Sequence, residues 1–91
     1  MNYLTQGGET AERLNLLLAL TKITSDDVKT ALADYLVTGL SDATAANLNG
    51  LSHSNLKRAL AKLQAVAATV EKIKELDWRH LKNAGKNQLT E

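Results

Sequence analysis

The sequence contains no cysteine, no proline and no phenylalanine among its 91 residues. Without cysteine, the chain has neither disulfide bonds nor thiolate metal sites, which fits a reducing compartment. Without proline, and with few runs of β-branched residues, its local propensity is helical throughout. Only Tyr3, Tyr35 and Trp78 are aromatic, so leucine and alanine supply most of the apolar content. The composition predicts an all-α domain.

Long hydrophobic runs are also absent. No segment approaches the 18 or so consecutive apolar residues of a membrane-spanning helix. The first ten residues, MNYLTQGGET, lack the basic and apolar regions of a secretory signal. We therefore expect a cytoplasmic protein with no membrane partner.

The length of the chain is that of one domain. Gly7 and Gly8 form a flexible joint, so residues 1–8 are expected to be a flexible N-terminal arm. Residues 9–82 are expected to form the domain. From Asn83 the composition becomes polar, and residues 83–91 are expected to be a flexible tail.

Ser25, Ser41 and Ser52 mark helix starts, because each precedes a helical segment and a serine side chain caps the free N–H groups there. The patterns predict a small bundle of four to five helices. Trp78 and Leu81 are expected to fold back onto this bundle, with a subunit interface as the alternative for Trp78, and Tyr35 is expected in its core. The four predicted helices run from Glu9 or Thr10 to Thr21 or Lys22, from Asp26 to Val37, from Asp42 to Leu48, and from Ser52 to Leu76.

The first helix has too many leucines for one buried stripe, since residues 14–20 contain five. One interpretation is that a second face packs against another subunit, which predicts a homodimer or higher oligomer. The alternative is that a small bundle wraps this helix on all sides.

A helix-turn-helix is predicted over residues 41–62. Such a unit needs a small residue in its first helix, a residue tolerant of positive φ four places later, and an apolar anchor six places beyond that. Ala46, Gly50 and Leu56 have this spacing, and Leu51 and Ala59 occupy the flanking buried positions. Alanine-rich helical proteins also match this pattern by chance.

The outward face of the second helix of this unit is typical of DNA binding. Residues 1–50 have a net charge of −3, residues 51–91 have +4, and no acidic residue lies between Ser52 and Ala68. A solvated face normally mixes both signs, so this stretch favours a polyanionic partner. Lysine and the helix N-terminus suit phosphate, and Asn, Ser and Arg reach base edges. The candidate DNA-binding residues are Ser52, His53, Ser54, Asn55, Lys57, Arg58 and Lys62.

The string Asp34-Tyr35-Leu36-Val37-Thr38-Gly39-Leu40-Ser41 and the helix-turn-helix after it resemble the PapB family of fimbrial (adhesin biosynthesis) transcriptional regulators. The resemblance covers about Val28 to Ala67. It implies a small bacterial, nucleoid-associated protein that binds AT-rich double-stranded DNA near adhesin-operon promoters as an oligomer.

Other chemistries find little support in the sequence. His53 and His80 are the only histidines, and no carboxylate or thiol stands at ligand spacing from either, so no metal site is expected. Ser52 and Ser54 flank His53, but no orienting acid lies close in sequence, and no catalytic residue, cofactor or small-molecule substrate is expected. The alternative to a DNA-binding regulator is a non-enzymatic helical protein-interaction module, such as an antitoxin-like partner or a plasmid accessory factor.

Overall fold

The computed structural model describes the backbone of residues 3–90 and the side chains of residues 3–81. Within this part of the chain there are only helices, which confirms the predicted all-α class. No helix there is long and apolar enough to span a membrane. The elements are α1 (Ala11–Ala19), α2 (Asp26–Ala33), a π-helical segment that continues α2 (Asp34–Thr38), α3 (Asp42–Leu48) and α4 (His53–Thr90).

Serine caps begin three of the helices, as predicted. The hydroxyl oxygens of Ser25, Ser41 and Ser52 each accept a hydrogen bond from the backbone N–H three residues later, over 3.4, 3.2 and 3.1 Å. Each bond satisfies an N–H group that has no partner within the helix. Gly39 follows the C-terminal end of the π-helical segment and has a φ of 90°. Only glycine adopts this conformation readily, so the helix ends there.

The burial of Ala46 and Leu56 and the backbone of Gly50 agree with the spacing on which the helix-turn-helix was predicted. Ala46 and Leu56 are fully buried between α3 and α4. Gly50 lies in the turn between these helices with a φ of 68°. The small side chain of Ala46 permits close approach, and Leu56 joins Leu32, Leu36 and Leu63 as the largest fully buried side chains.

The C-terminal helix is longer than predicted. α4 has 38 residues and continues to Thr90 instead of ending near Leu76. At 1.5 Å per residue it is about 57 Å long, which accounts for the 60 Å long axis of the molecule. Trp78 and Leu81 stay on this helix and are 63% and 65% exposed, so the prediction that they fold back is wrong. No residue between Leu76 and Asn83 breaks a helix.

The predicted flexible tail, residues 83–91, lies outside the residues whose side chains the structure describes, and its flexibility stays a prediction. The division of the chain into arm, domain and tail also stays a prediction.

The N-terminal arm contacts the bundle over its described residues, 3–8. Leu4 is only 5% exposed. The side-chain oxygen of Gln64, on α4, accepts hydrogen bonds from the backbone N–H groups of Tyr3 at 2.8 Å and Leu4 at 3.1 Å. Tyr3 and Leu4 are thus held against the bundle, while Met1 and Asn2 lie outside the described residues.

The arm docks because the end of the π-helical segment needs hydrogen-bond donors. The last carbonyls of a helix have no partner within it. The backbone N–H of Gly7 donates to the carbonyl of Tyr35 at 3.1 Å, and that of Glu9 donates to the carbonyl of Leu36 at 3.0 Å. The side-chain amide of Gln6 donates to the carbonyl of Gly39 at 2.9 Å. Gly7, which the sequence marks as part of a flexible joint, thus helps to complete the end of a helix.

Replacing Gly7 by Ala is expected to destabilise the fold more than replacing Gly50. Both glycines have positive φ, 69° and 68°, so each substitution costs about 1–2 kcal/mol for the left-handed backbone. A Cβ on Gly7 would also lie 3.1 Å from the Cα of Gly39, whereas nothing lies within 4 Å of a Cβ on Gly50. Thermal unfolding followed by circular dichroism measures the difference, and equal losses of stability would contradict this close backbone contact.

Candidate nucleic-acid interface

The seven candidate DNA-binding residues lie together at the start of α4. Ser52 caps this helix through its bond to the backbone N–H of Asn55. Leu56 and Leu63 face the core, so the helical period turns the polar positions between them outward. The side chains that are exposed at this end of α4 include all seven: Ser52, His53, Ser54, Asn55, Lys57, Arg58 and Lys62.

These residues divide between two sides of the helix. Asn55, Arg58 and Lys62, spaced by three and four positions, line one cavity of about 380 Å³ together with the loop between α1 and α2. We call this cavity the basic groove; its polar lining residues are Lys22, Thr24, Ser25, Asn55, Arg58 and Lys62. Lys57 lies on the other side of α4, where it lines a cavity of about 350 Å³ with Tyr35 and Asp42.

An acidic residue from α3 lies against the start of α4. The Nε2 atom of His53 is 2.9 Å from the Oδ2 atom of Asp42. The sequence places no acid between Ser52 and Ala68, yet the crossing of α3 and α4 supplies a carboxylate to this face. The His53 end of the candidate interface is therefore less positive than the sequence alone indicates.

The same contact affects the titration of Asp42. The side-chain hydrogen bond with His53 holds the pKa of Asp42 below its ordinary value. Desolvation of the carboxylate opposes this effect, and the Ala43 backbone N–H and the charges of His53 and Lys57 lower the pKa further. Because the pKa of the folded state is depressed, the stabilisation from Asp42 is present above the pKa of the unfolded state. It is lost as the pH falls through the lowered folded-state value. Asp42 is therefore a carboxylate at neutral pH.

Asp34, the first residue of the string that resembles the PapB family, supports the turn before α4. Its Oδ2 atom accepts a hydrogen bond from the side-chain amide of Asn49 at 2.9 Å. The same amide donates to the carbonyl of Ala45 at 2.8 Å. The backbone carbonyl of Asp34 also accepts a bond from the N–H of Leu40 at 2.9 Å. Asp34 thus links the π-helical segment to the turn that sets the position of the α4 N-terminus.

Sequence reasoning missed two charged residues near the candidate interface, Lys22 and Asp42. Lys22 lies on the loop after α1 and is brought to the basic groove by the packing of this loop against α4. In the sequence, Asp42 indicates only the start of α3. Neither contact follows from helical periodicity, because each joins different elements. Both residues also lie in the first half of the chain, whereas the net positive charge lies in the second half.

The sequence and the structure of the chain are each similar to known proteins. The sequence profile of the PapB family, described as adhesin biosynthesis transcription regulatory protein, matches residues 1–76. The crystal structure of FocB from E. coli superimposes with a TM-score of 0.75 at 26% sequence identity, and the match covers 80% of this chain and 83% of that chain. No curated protein sequence matches significantly.

Proposed function

This chain belongs to the PapB family of adhesin biosynthesis transcription regulators, and we propose that it acts by binding AT-rich double-stranded DNA through the first three turns of α4. The observation that carries this proposal is the set of exposed cations around the start of α4, with Arg58 and Lys62 on the side of the basic groove and Lys57 on the other side. In the part of the chain whose side chains are described, none of the three forms an ion pair with a carboxylate. Their charge is thus available to phosphates.

The proposed contacts follow from the chemistry of each side chain. Lys57, Arg58 and Lys62 bind backbone phosphates, which determine affinity and orientation on the duplex. Ser52 lies at the N-terminus of α4, where free N–H groups and the helix dipole favour a phosphate. His53, Ser54 and Asn55 contact base edges or sugars. We place the protein in the bacterial cytoplasm, associated with the nucleoid, and assign it no catalytic activity and no small-molecule substrate.

Fluorescence anisotropy with labelled duplexes tests the proposal. We expect saturable binding to an AT-rich duplex and weaker binding to a GC-rich duplex of equal length. The affinity is expected to fall steeply with salt, because the cationic side chains of the protein release counterions from the DNA. An absence of binding at modest salt to any duplex would overturn the proposal and favour a protein-interaction module, in which the basic face of α4 meets an acidic protein surface.

Replacing Asp42 by Asn is expected to strengthen DNA binding. The substitution removes a negative charge 2.9 Å from His53, and a charge a few ångströms from a phosphate in water contributes up to about 1 kcal/mol, a factor of about five. We therefore expect a tighter complex by about two- to fivefold. Glu75→Gln, which removes one charge farther along α4, is the control, and equal effects of the two variants would show that only net charge matters.

We propose further that the protein binds DNA as a homodimer or higher oligomer. Its subunits associate through an apolar groove between α1 and α4. The groove has a volume of about 380 Å³ and is lined by Leu20, Val66, Val70 and Ile73 among others. Leu20 is 64% and Ile73 52% exposed in the single chain, and burying such a patch in a second copy is favourable.

Sedimentation measures this assembly. Wild-type protein is expected to sediment as a dimer or larger species at high micromolar concentration, and Ile73→Glu is expected to shift it towards monomer, since it introduces a charge into the apolar groove. Lys72→Glu, on the neighbouring exposed position of α4, is the matched control. A wild-type monomer at that concentration, with and without DNA, would contradict the proposed oligomer.

A further inference from the structure

The basic groove brings positive charge from two separate elements to one cavity. Lys22 comes from the loop after α1, and Arg58 and Lys62 come from α4. Its volume of about 380 Å³ equals that of roughly a dozen water molecules, at about 30 Å³ each. A phosphate group therefore fits between the loop and the helix.

The charge of the groove is not neutralised from within. No acidic side chain is among its lining residues; Asp26 and Asp27 follow Ser25 in sequence but do not line it. Within residues 3–81, no carboxylate lies within ion-pair distance of Lys22, Arg58 or Lys62. Like charges that share a cavity repel each other, and a bound anion relieves this repulsion.

The remaining polar groups of the groove suit phosphate oxygens. The Ser25 oxygen already accepts a hydrogen bond from the backbone N–H of Val28 at 3.4 Å, which leaves its O–H hydrogen to donate. Thr24 adds a second hydroxyl. Hydroxyls of this kind commonly contact phosphates in protein–DNA complexes.

We propose that the basic groove binds a backbone phosphate of DNA and that Lys22 is a DNA-contacting residue. This inference rests on the proposed function, because Asn55, Arg58 and Lys62 belong both to the groove and to the face of α4 assigned to DNA. The groove is continuous with that face, so a strand that runs along α4 passes its opening. The DNA-binding surface then extends beyond the helix-turn-helix to the α1–α2 loop.

The salt dependence of DNA binding tests Lys22 directly. The slope of log K against log salt is negative, and loss of one phosphate contact reduces its magnitude by about 0.9, which corresponds to about fivefold weaker binding at 0.15 M salt for each bound protomer. We expect this change for Lys22→Ala and a slope near that of wild type for Lys22→Arg, which keeps the charge. Lys72→Ala removes an exposed lysine of α4 outside the groove and is expected to leave the slope unchanged.

The outcomes separate the two proposals. If wild-type protein does not bind duplex DNA, the proposed function fails. If wild-type protein binds and Arg58→Ala reduces the magnitude of the slope, while Lys22→Ala retains the wild-type slope, the inference about Lys22 is overturned and the proposed function stands. Circular dichroism of each variant confirms that it is folded. A role of Lys22 in stability alone would change the unfolding temperature but not the salt slope.

Discussion

Replacing Arg58 and Lys62 together by alanine is expected to weaken binding to an AT-rich duplex about 30-fold at 0.15 M salt. Both side chains are exposed and line the basic groove. Each is proposed to displace about one counterion from a phosphate. The double variant should also reduce the magnitude of the slope of log K against log salt by about 1.8 per protomer. Anisotropy titrations at several salt concentrations measure both quantities.

The control for this variant is Lys72 and Lys74 replaced together by alanine. It removes the same charge from the same helix, but beyond the residues that line the basic groove. If both double variants lose affinity equally, the effect comes from net charge and the assignment of Arg58 and Lys62 to phosphates is wrong. Far-UV circular dichroism is expected to show unchanged helicity in both.

Replacing Leu56 by Ala is expected to destabilise the fold by about 2–5 kcal/mol. Leu56 has no exposed surface, and it anchors α4 beneath the turn after α3. The substitution removes buried methyl groups and leaves a cavity that close packing fills only in part. Small domains have total stabilities of only about 5–15 kcal/mol, so a large share of the folding free energy is lost. Urea unfolding measures the change.

Leu48→Ala is the matched control, since it makes the same chemical change at a leucine that is 67% exposed. We expect an effect within about 0.5 kcal/mol. A similar loss for both variants would contradict the burial of Leu56. DNA binding by Leu56→Ala is expected to fall with the folded fraction, because the variant keeps every charged side chain of α4.

Much of the fold followed from local features of the chain. Ser25, Ser41 and Ser52 marked helix starts because a hydroxyl cap acts on N–H groups only a few residues away. The spacing of Ala46 and Leu56 marked the close crossing of α3 and α4. The end of α4 was less predictable, since no strong stop signal follows Leu76.

The N-terminal arm shows why other parts of the fold were not predictable. Gly7 and Gly8 are typical of a flexible joint, and their sequence contains no information about a partner. The partner is the end of the π-helical segment, whose Tyr35 and Leu36 carbonyls accept bonds from the arm. That segment lies about 30 residues away in sequence, and only the path of the chain brings the two together.

The candidate site divides in the same way. The sequence by itself determined which side chains of α4 face outward, because the helical period and the buried leucines require it. Only the tertiary structure decided that Lys22 joins Arg58 and Lys62 in the basic groove and that Asp42 binds His53. Helical periodicity describes neighbours within one element. Contacts between elements depend on how the core packs, and that packing determines which charges the two sides of α4 carry.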